Sequence, residues 1–151
     1  MYVAQLCNRN VTTVRATDEI VTAARLMRER HIGYLVVVAP DVTGRQPEPV
    51  GVLTDRDIVI GVVARGIDPA SLTVGDIMTA NPVTVAEFDS LEKAAQEMRR
   101  IGVRRVPVTG KQGELLGVLS LDDLLDAASG ELRDLALAIR NEQRIEKAVR
   151  T

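Results

Sequence analysis

Residues 51–57 read Gly51-Val-Leu-Thr-Asp-Arg-Asp57, and residues 117–123 read Gly117-Val-Leu-Ser-Leu-Asp-Asp123. Each is an apolar run closed by a hydroxyl residue, with an aspartate three positions on: Thr54 with Asp57, and Ser120 with Asp123. This is the sequence form of a strand entering a helix, because the hydroxyl accepts from N–H groups that a first helical turn leaves unpaired. Such a corner gathers hydroxyl, carboxylate and backbone N–H groups, and helix starts also suit anions. The chain has two of these corners.

Working outward, the whole chain repeats. Val3 and Val74, Asn10 and Asn81, Asp18 and Asp89, Met27 and Met98, and Val37 and Val108 all stand 71 positions apart. The Gly51 and Gly117 copies stand 66 apart, so the first repeat carries five extra residues, placed in the turn-rich stretch from Pro40 to Pro49. Each repeat reads β-α-β-β-α. A short strand at 12–14 or 83–85 precedes a helix marked by Ile20, Ala23, Ala24 and Met27, or by Leu91, Ala94, Ala95 and Met98. That spacing is the apolar stripe of an amphipathic helix. Strands at 35–38 and 50–53, and at 106–108 and 115–119, precede second helices over 55–65 and 121–129, with Gly66 and Gly130 placed as C-terminal stops. Asp18 and Asp89 read as caps of the first helices. The resulting division is 1–70, 71–130 and a C-terminal helix over 131–151. Neither repeat has enough apolar residues to bury its own sheet, so the two are expected to pack together.

Composition narrows the function classes. A net charge of −2 gives no general attraction to nucleic acid or anionic lipid, and two tyrosines and one phenylalanine offer no aromatic platform for stacking bases. No apolar run approaches the roughly 20 residues needed to cross a bilayer, and residues 1–7 show no secretory pattern. One cysteine and one histidine exclude an internal disulfide and leave little material for a zinc cluster, nucleophilic catalysis or acid–base work. The expectation is a cytoplasmic protein that is not an enzyme and needs no cofactor.

With Val74-Gly-Asp-Ile-Met-Thr79, Asn81-Pro-Val-Thr-Val85, Gly102-Val-Arg-Arg-Val-Pro-Val108 and Gly51-Val-Leu-Thr-Asp-Arg-Asp-Ile58 in order, residues 3 to about 130 resemble a tandem pair of cystathionine-β-synthase (CBS) domains. The resemblance implies an α/β (α+β) fold: two β-α-β-β-α repeats related by a pseudo-twofold axis, plus the C-terminal helix. It implies two clefts that take an adenosine-type ligand such as AMP, ADP, ATP or S-adenosylmethionine, and assembly as a homodimer. Only residues 131–151 lie outside the pair in this sequence, so a stand-alone regulatory module is the expectation.

The site residues follow from the corners and the resemblance together. By their chemistry, Thr54, Asp57, Ser120 and Asp123 fit helix caps and ligand contacts alike. An ionised aspartate accepts hydrogen bonds only, which suits ribose hydroxyls rather than phosphate, and the resemblance gives Asp57 and Asp123 that ribose role. It gives Arg104 and Arg105 to phosphate, for which guanidinium is a good partner, and Thr12 and Val83 to the base. At the positions matching the two arginines the first repeat has Gly33 and Tyr34, so one good site, or two unequal ones, is expected. The alternative function is a protein-interaction module with vestigial clefts, acting on an unidentified protein partner through residues 131–151. Leu132, Leu135, Ala136 and Ile139 there form one stripe that fits packing on the chain's own body or a dimer contact.

Overall fold

A computed structural model describes residues 1–41 and 44–149 of the chain; Val42 and Thr43 of the turn-rich loop and Arg150 and Thr151 of the C-terminal segment lie outside the described residues. Two small sheets form, one built around the strands of each repeat. The elements are α1 (Val3–Leu6), β1 (Thr13–Val14), α2 (Ile20–Arg30), β2 (Tyr34–Val38), β3 (Pro49–Thr54), α3 (Asp55–Ile58), α4 (Val74–Ile77), β4 (Thr79–Ala80), β5 (Val85–Ala86), α5 (Leu91–Ile101), β6 (Arg105–Thr109), β7 (Leu115–Ser120) and α6 (Leu121–Val149). The first sheet has the order β1-β2-β3-β4 and the second β5-β6-β7. In both, a parallel pair is followed by an antiparallel one, as the expected β-α-β-β-α order requires.

The two halves exchange their leading segments. Val3, at the start of the first repeat, is fully buried in the core built by Val85, Ala94, Met98 and Leu119 of the second. Val74, at the start of the second, is fully buried in the core of Ile20, Met27, Leu35 and Leu53. The backbone repeats the exchange: Val3 N–H donates to Asp89 O at 3.0 Å and Val74 N–H to Asp18 O at 2.8 Å. β4 pairs with β3, and its counterpart Asn8 bridges to Val118 of β7. The motif glycines mark where these crossing segments pass. A Cβ on Gly51 would lie 2.6 Å from Met78 Sδ, and one on Gly117 would lie 2.8 Å from Asn8 O and 2.9 Å from Cys7 Sγ.

Between the sheets, Val36 and Val38 meet Leu115, with Tyr34, Val11 and Val118 around them. This third apolar cluster joins the halves, in line with the expectation that they pack together. The inserted loop adds a tie, since Leu115 N–H donates to Pro47 O at 3.0 Å.

Two sequence expectations fail for physical reasons. Gly66 does end its helical segment in the left-handed conformation (φ 65°), after a π-helical turn at Val59–Val63. Gly130 does not; α6 runs through it to Val149. A mid-helix glycine costs about 1 kcal/mol, which the flanking Leu, Ala, Glu and Arg positions outweigh. Asp18 and Asp89 do not cap their helices either. Their carboxylates turn back to accept from Arg15 N–H (2.8 Å) and Ala86 N–H (2.9 Å), closing the strand-to-helix turn. Ser90 takes the cap of α5, accepting from Lys93 N–H at 3.2 Å.

Candidate functional site

At both corners the hydroxyl and the aspartate bond reciprocally. Thr54 N–H donates to Asp57 Oδ2 at 2.8 Å, and Asp57 N–H returns to Thr54 Oγ1 at 3.1 Å. Ser120 N–H donates to Asp123 Oδ2 at 2.9 Å, Asp123 N–H returns to Ser120 Oγ at 3.1 Å, and Ser120 Oγ itself donates to Oδ2 at 2.6 Å. These are capping boxes, so the corners do start helices. The box occupies Oδ2 alone; Oδ1 of each aspartate takes no hydrogen bond among the described residues. A third box, Thr73 with Asp76, sits on the exposed start of α4. The motif alone therefore does not make a site; its surroundings do.

The surroundings of Asp123 form a cleft of about 340 Å³ between the repeats. Thr12 enters from the first repeat, Ser120 and Asp123 from the β7–α6 corner, and Arg105 from the start of β6. Four of the eight expected site residues thus meet on one cavity. Of the rest, Thr54 and Asp57 share the matching corner of the other half. Arg104 is exposed, its guanidinium 4.0 Å from Asp122, and stands outside the lining of the Asp123 cleft. Val83 is half-buried just ahead of β5.

Eight further residues line the cleft, and four of them are polar side chains that the sequence did not mark as site residues: Asn8, Asn10, His31 and Tyr34. The recurrence of Asn10 as Asn81 was a usable signal. Tyr34 stands where the second repeat carries Arg105. The Arg105 guanidinium carbon lies 5.9 Å from the centroid of its ring, within cation–π range. The Tyr34 hydroxyl is fully enclosed and has no hydrogen-bond partner among the described residues. Burial pushes the phenol well above its ordinary pKa, with the nearby Arg105 charge pulling weakly the other way, so the group stays a protonated donor. Cys7 packs beside the same region beneath Gly117, and burial raises its thiol pKa despite Arg9, which favours an inert packing role.

Chemically, the cleft offers one carboxylate oxygen as acceptor, one guanidinium, several neutral donors and aliphatic walls at Val11, Ile32 and Val118. That set suits holding a ligand with hydroxyls, an anionic group and an apolar ring. Among the described residues no three His, Cys, Asp or Glu side chains are grouped to hold a metal ion, and no helix is long and apolar enough to cross a membrane.

A family model described as CBS domain matches residues 3–63 and again 74–130. An uncharacterised protein of Methanopyrus kandleri is 35% identical over 123 residues, covering 82% of this chain and 60% of that relative. The chain thus spans little more than half of that protein's length. The CBS domain-containing protein YhcV of Bacillus subtilis is 34% identical over 136 residues, covering 89% of this chain and 91% of the relative. Among solved structures, a CBS domain protein from Pyrobaculum aerophilum complexed with AMP is 32% identical, with a TM-score of 0.72 over 85% of this chain and 99% of that one.

Proposed function

The chain belongs to the CBS-domain family, and from that premise we propose that it is a regulatory module without catalytic activity that binds an adenosine-type ligand in the cleft of Thr12, Arg105, Ser120 and Asp123. The observation that carries this reading is the meeting of Asp123 and Arg105 on one cavity, where an acceptor for ribose hydroxyls and a cation for phosphate share a wall. Oδ1 of Asp123, outside the capping box, is the acceptor. Thr12 borders the base, and Ser120 the ribose or phosphate. The AMP complex of the Pyrobaculum relative supports the ligand class. In the other half, Thr54, Asp57, Arg104 and Val83 form a second and weaker site by pseudo-symmetry. No cofactor is required. Binding acts by favouring the arrangement of halves or copies that holds the ligand best, since a ligand shifts only states it binds differently. The test is a thermal-shift panel of AMP, ADP, ATP and S-adenosylmethionine. One of them at a hundredfold excess over its Kd stabilises by about 2.7 kcal/mol; a flat response to all four sinks the reading.

A second observation supports self-association. On α6, Leu132, Leu135 and Ile139 are exposed by 67%, 63% and 59%, continuing the face on which Leu121 and Leu124 pack against the second core. The occupant that fits is a second copy running antiparallel. Residues 121–135 carry five acids against one arginine, whereas 136–149 carry three bases against two acids. Antiparallel pairing sets unlike halves together and opposes the helix dipoles favourably. Sedimentation of the whole chain should show a dimer that Leu132→Asp with Leu135→Asp converts to monomer. A dimer that survives both substitutions places the contact elsewhere.

A further inference from the structure

Tyr34 and Arg105 occupy the same position in the two repeats, 71 residues apart, yet one is a phenol and the other a cation. They also touch, and both line the Asp123 cleft. At this position, then, the pseudo-symmetric pair supplies one positive charge where two arginines would supply two. Asp123 supplies one negative charge to the same wall. A single phosphate can be matched by Arg105. Each further phosphate would meet no second arginine or lysine in the lining, where the only other basic side chain is the His31 imidazole, and would lie beside a carboxylate that repels it.

The phenol adds a second constraint. Tyr34 is fixed among Val36, Val38, Leu115 and Val118, so its ring is preorganised. Its enclosed hydroxyl has no hydrogen-bond partner among the described residues, a cost that an incoming acceptor would remove. Arg105, by contrast, is exposed and rests on the ring by a cation–π contact that is weak at such a solvent-facing site. The exposed guanidinium is the part that moves.

Resting on the ligand reading above, we infer that Tyr34 and Arg105 act as a ligand-operated pair that restricts the Asp123 cleft to adenosyl ligands with no more than one phosphate. A bound phosphate draws Arg105 off the ring, and one of its oxygens takes the hydrogen bond that the Tyr34 hydroxyl lacks. Tyr34 is thus a specificity residue, placed where the second repeat carries a cation.

The experiment titrates the whole chain and its Tyr34→Phe variant with AMP and, separately, with ATP. Tyr34→Phe keeps the ring, the packing and the cation–π contact and removes only the hydroxyl. The wild type should prefer AMP to ATP by about tenfold or more, and the variant should bind AMP about tenfold more weakly, the equivalent of one charge-assisted hydrogen bond. Its unfolding midpoint should be unchanged or higher, because an unsatisfied polar group has been removed. ATP bound as tightly as AMP, or AMP affinity unchanged in Tyr34→Phe, overturns the inference while leaving the ligand reading intact. Binding of neither nucleotide to the wild type overturns the inference, and overturns the ligand reading as well when ADP and S-adenosylmethionine also fail to bind.

Discussion

Val3 and Val74 are equivalent residues of the two repeats, and each is fully buried in the core of the other half. The exchange makes the sequence repeat and the packing unit different objects. Truncating either side chain to alanine should cost about 2 kcal/mol, from two lost methyl groups and the cavity they leave. Fragments 1–70 and 71–151 should each be unfolded alone and fold when mixed, as followed by circular dichroism. Independent folding of either fragment would contradict the exchange.

The motif glycines make opposite predictions from one residue type. Gly117→Ala drives a Cβ against Asn8 O at 2.8 Å and Cys7 Sγ at 2.9 Å, and the backbone oxygen has little room to yield. It should destabilise by about 1–3 kcal/mol, as overpacking does. Gly130→Ala meets nothing within 4 Å and sits inside α6, so it should stabilise that helix by about 1 kcal/mol. Urea midpoints of the two variants check both signs.

Asp89 sets an acid limit. Partial burial works against its ionisation, but hydrogen bonds from Lys93 Nζ (2.6 Å) and Ala86 N–H (2.9 Å) more than offset it and hold its pKa below the ordinary 3.8. A depressed folded-state pKa contributes stability above the ordinary value that is lost as pH falls through the folded one. Asp89→Asn should therefore be less stable than the wild type at pH 7, with the gap closing below about pH 3. A gap independent of pH would show that ionisation of Asp89 contributes nothing.

Much of this was legible in the sequence because the repeat reports it twice. The 71-residue offset fixed which apolar runs are equivalent, and the hydroxyl–aspartate corners located both helix starts. The offset could not show the exchange of α1 and α4, since a repeat in sequence carries no information on which copy its first segment packs against. The end of α6 was misplaced because glycine is a stop only where the chain takes a left-handed turn, and here tandem helix formers on both sides carry the helix through. At the site, the corner motif read together with the family resemblance selected Arg105 and Asp123, which line one cleft. It passed over Tyr34, whose importance comes from an enclosed hydroxyl and a guanidinium resting on its ring, both products of tertiary packing.

The exposed stripe of α6 yields a geometric prediction. In a Cys7→Ser background, Ala138→Cys should cross-link to itself under mild oxidation, because an antiparallel pair centred near residue 137 brings the two copies of 138 together. Glu131→Cys should not, since its two copies would stand about 18 Å apart along the axis at 1.5 Å per residue. Equal cross-linking at both positions would indicate a parallel pair instead.

The proposed function makes the Asp123 corner, rather than the Asp57 corner, the principal adenosyl site. Isothermal titration of AMP into the wild type, Asp123→Ala and Asp57→Ala tests it directly. Saturable binding that Asp123→Ala abolishes and Asp57→Ala largely retains is expected. Binding that survives Asp123→Ala, or is lost in Asp57→Ala alone, would contradict it.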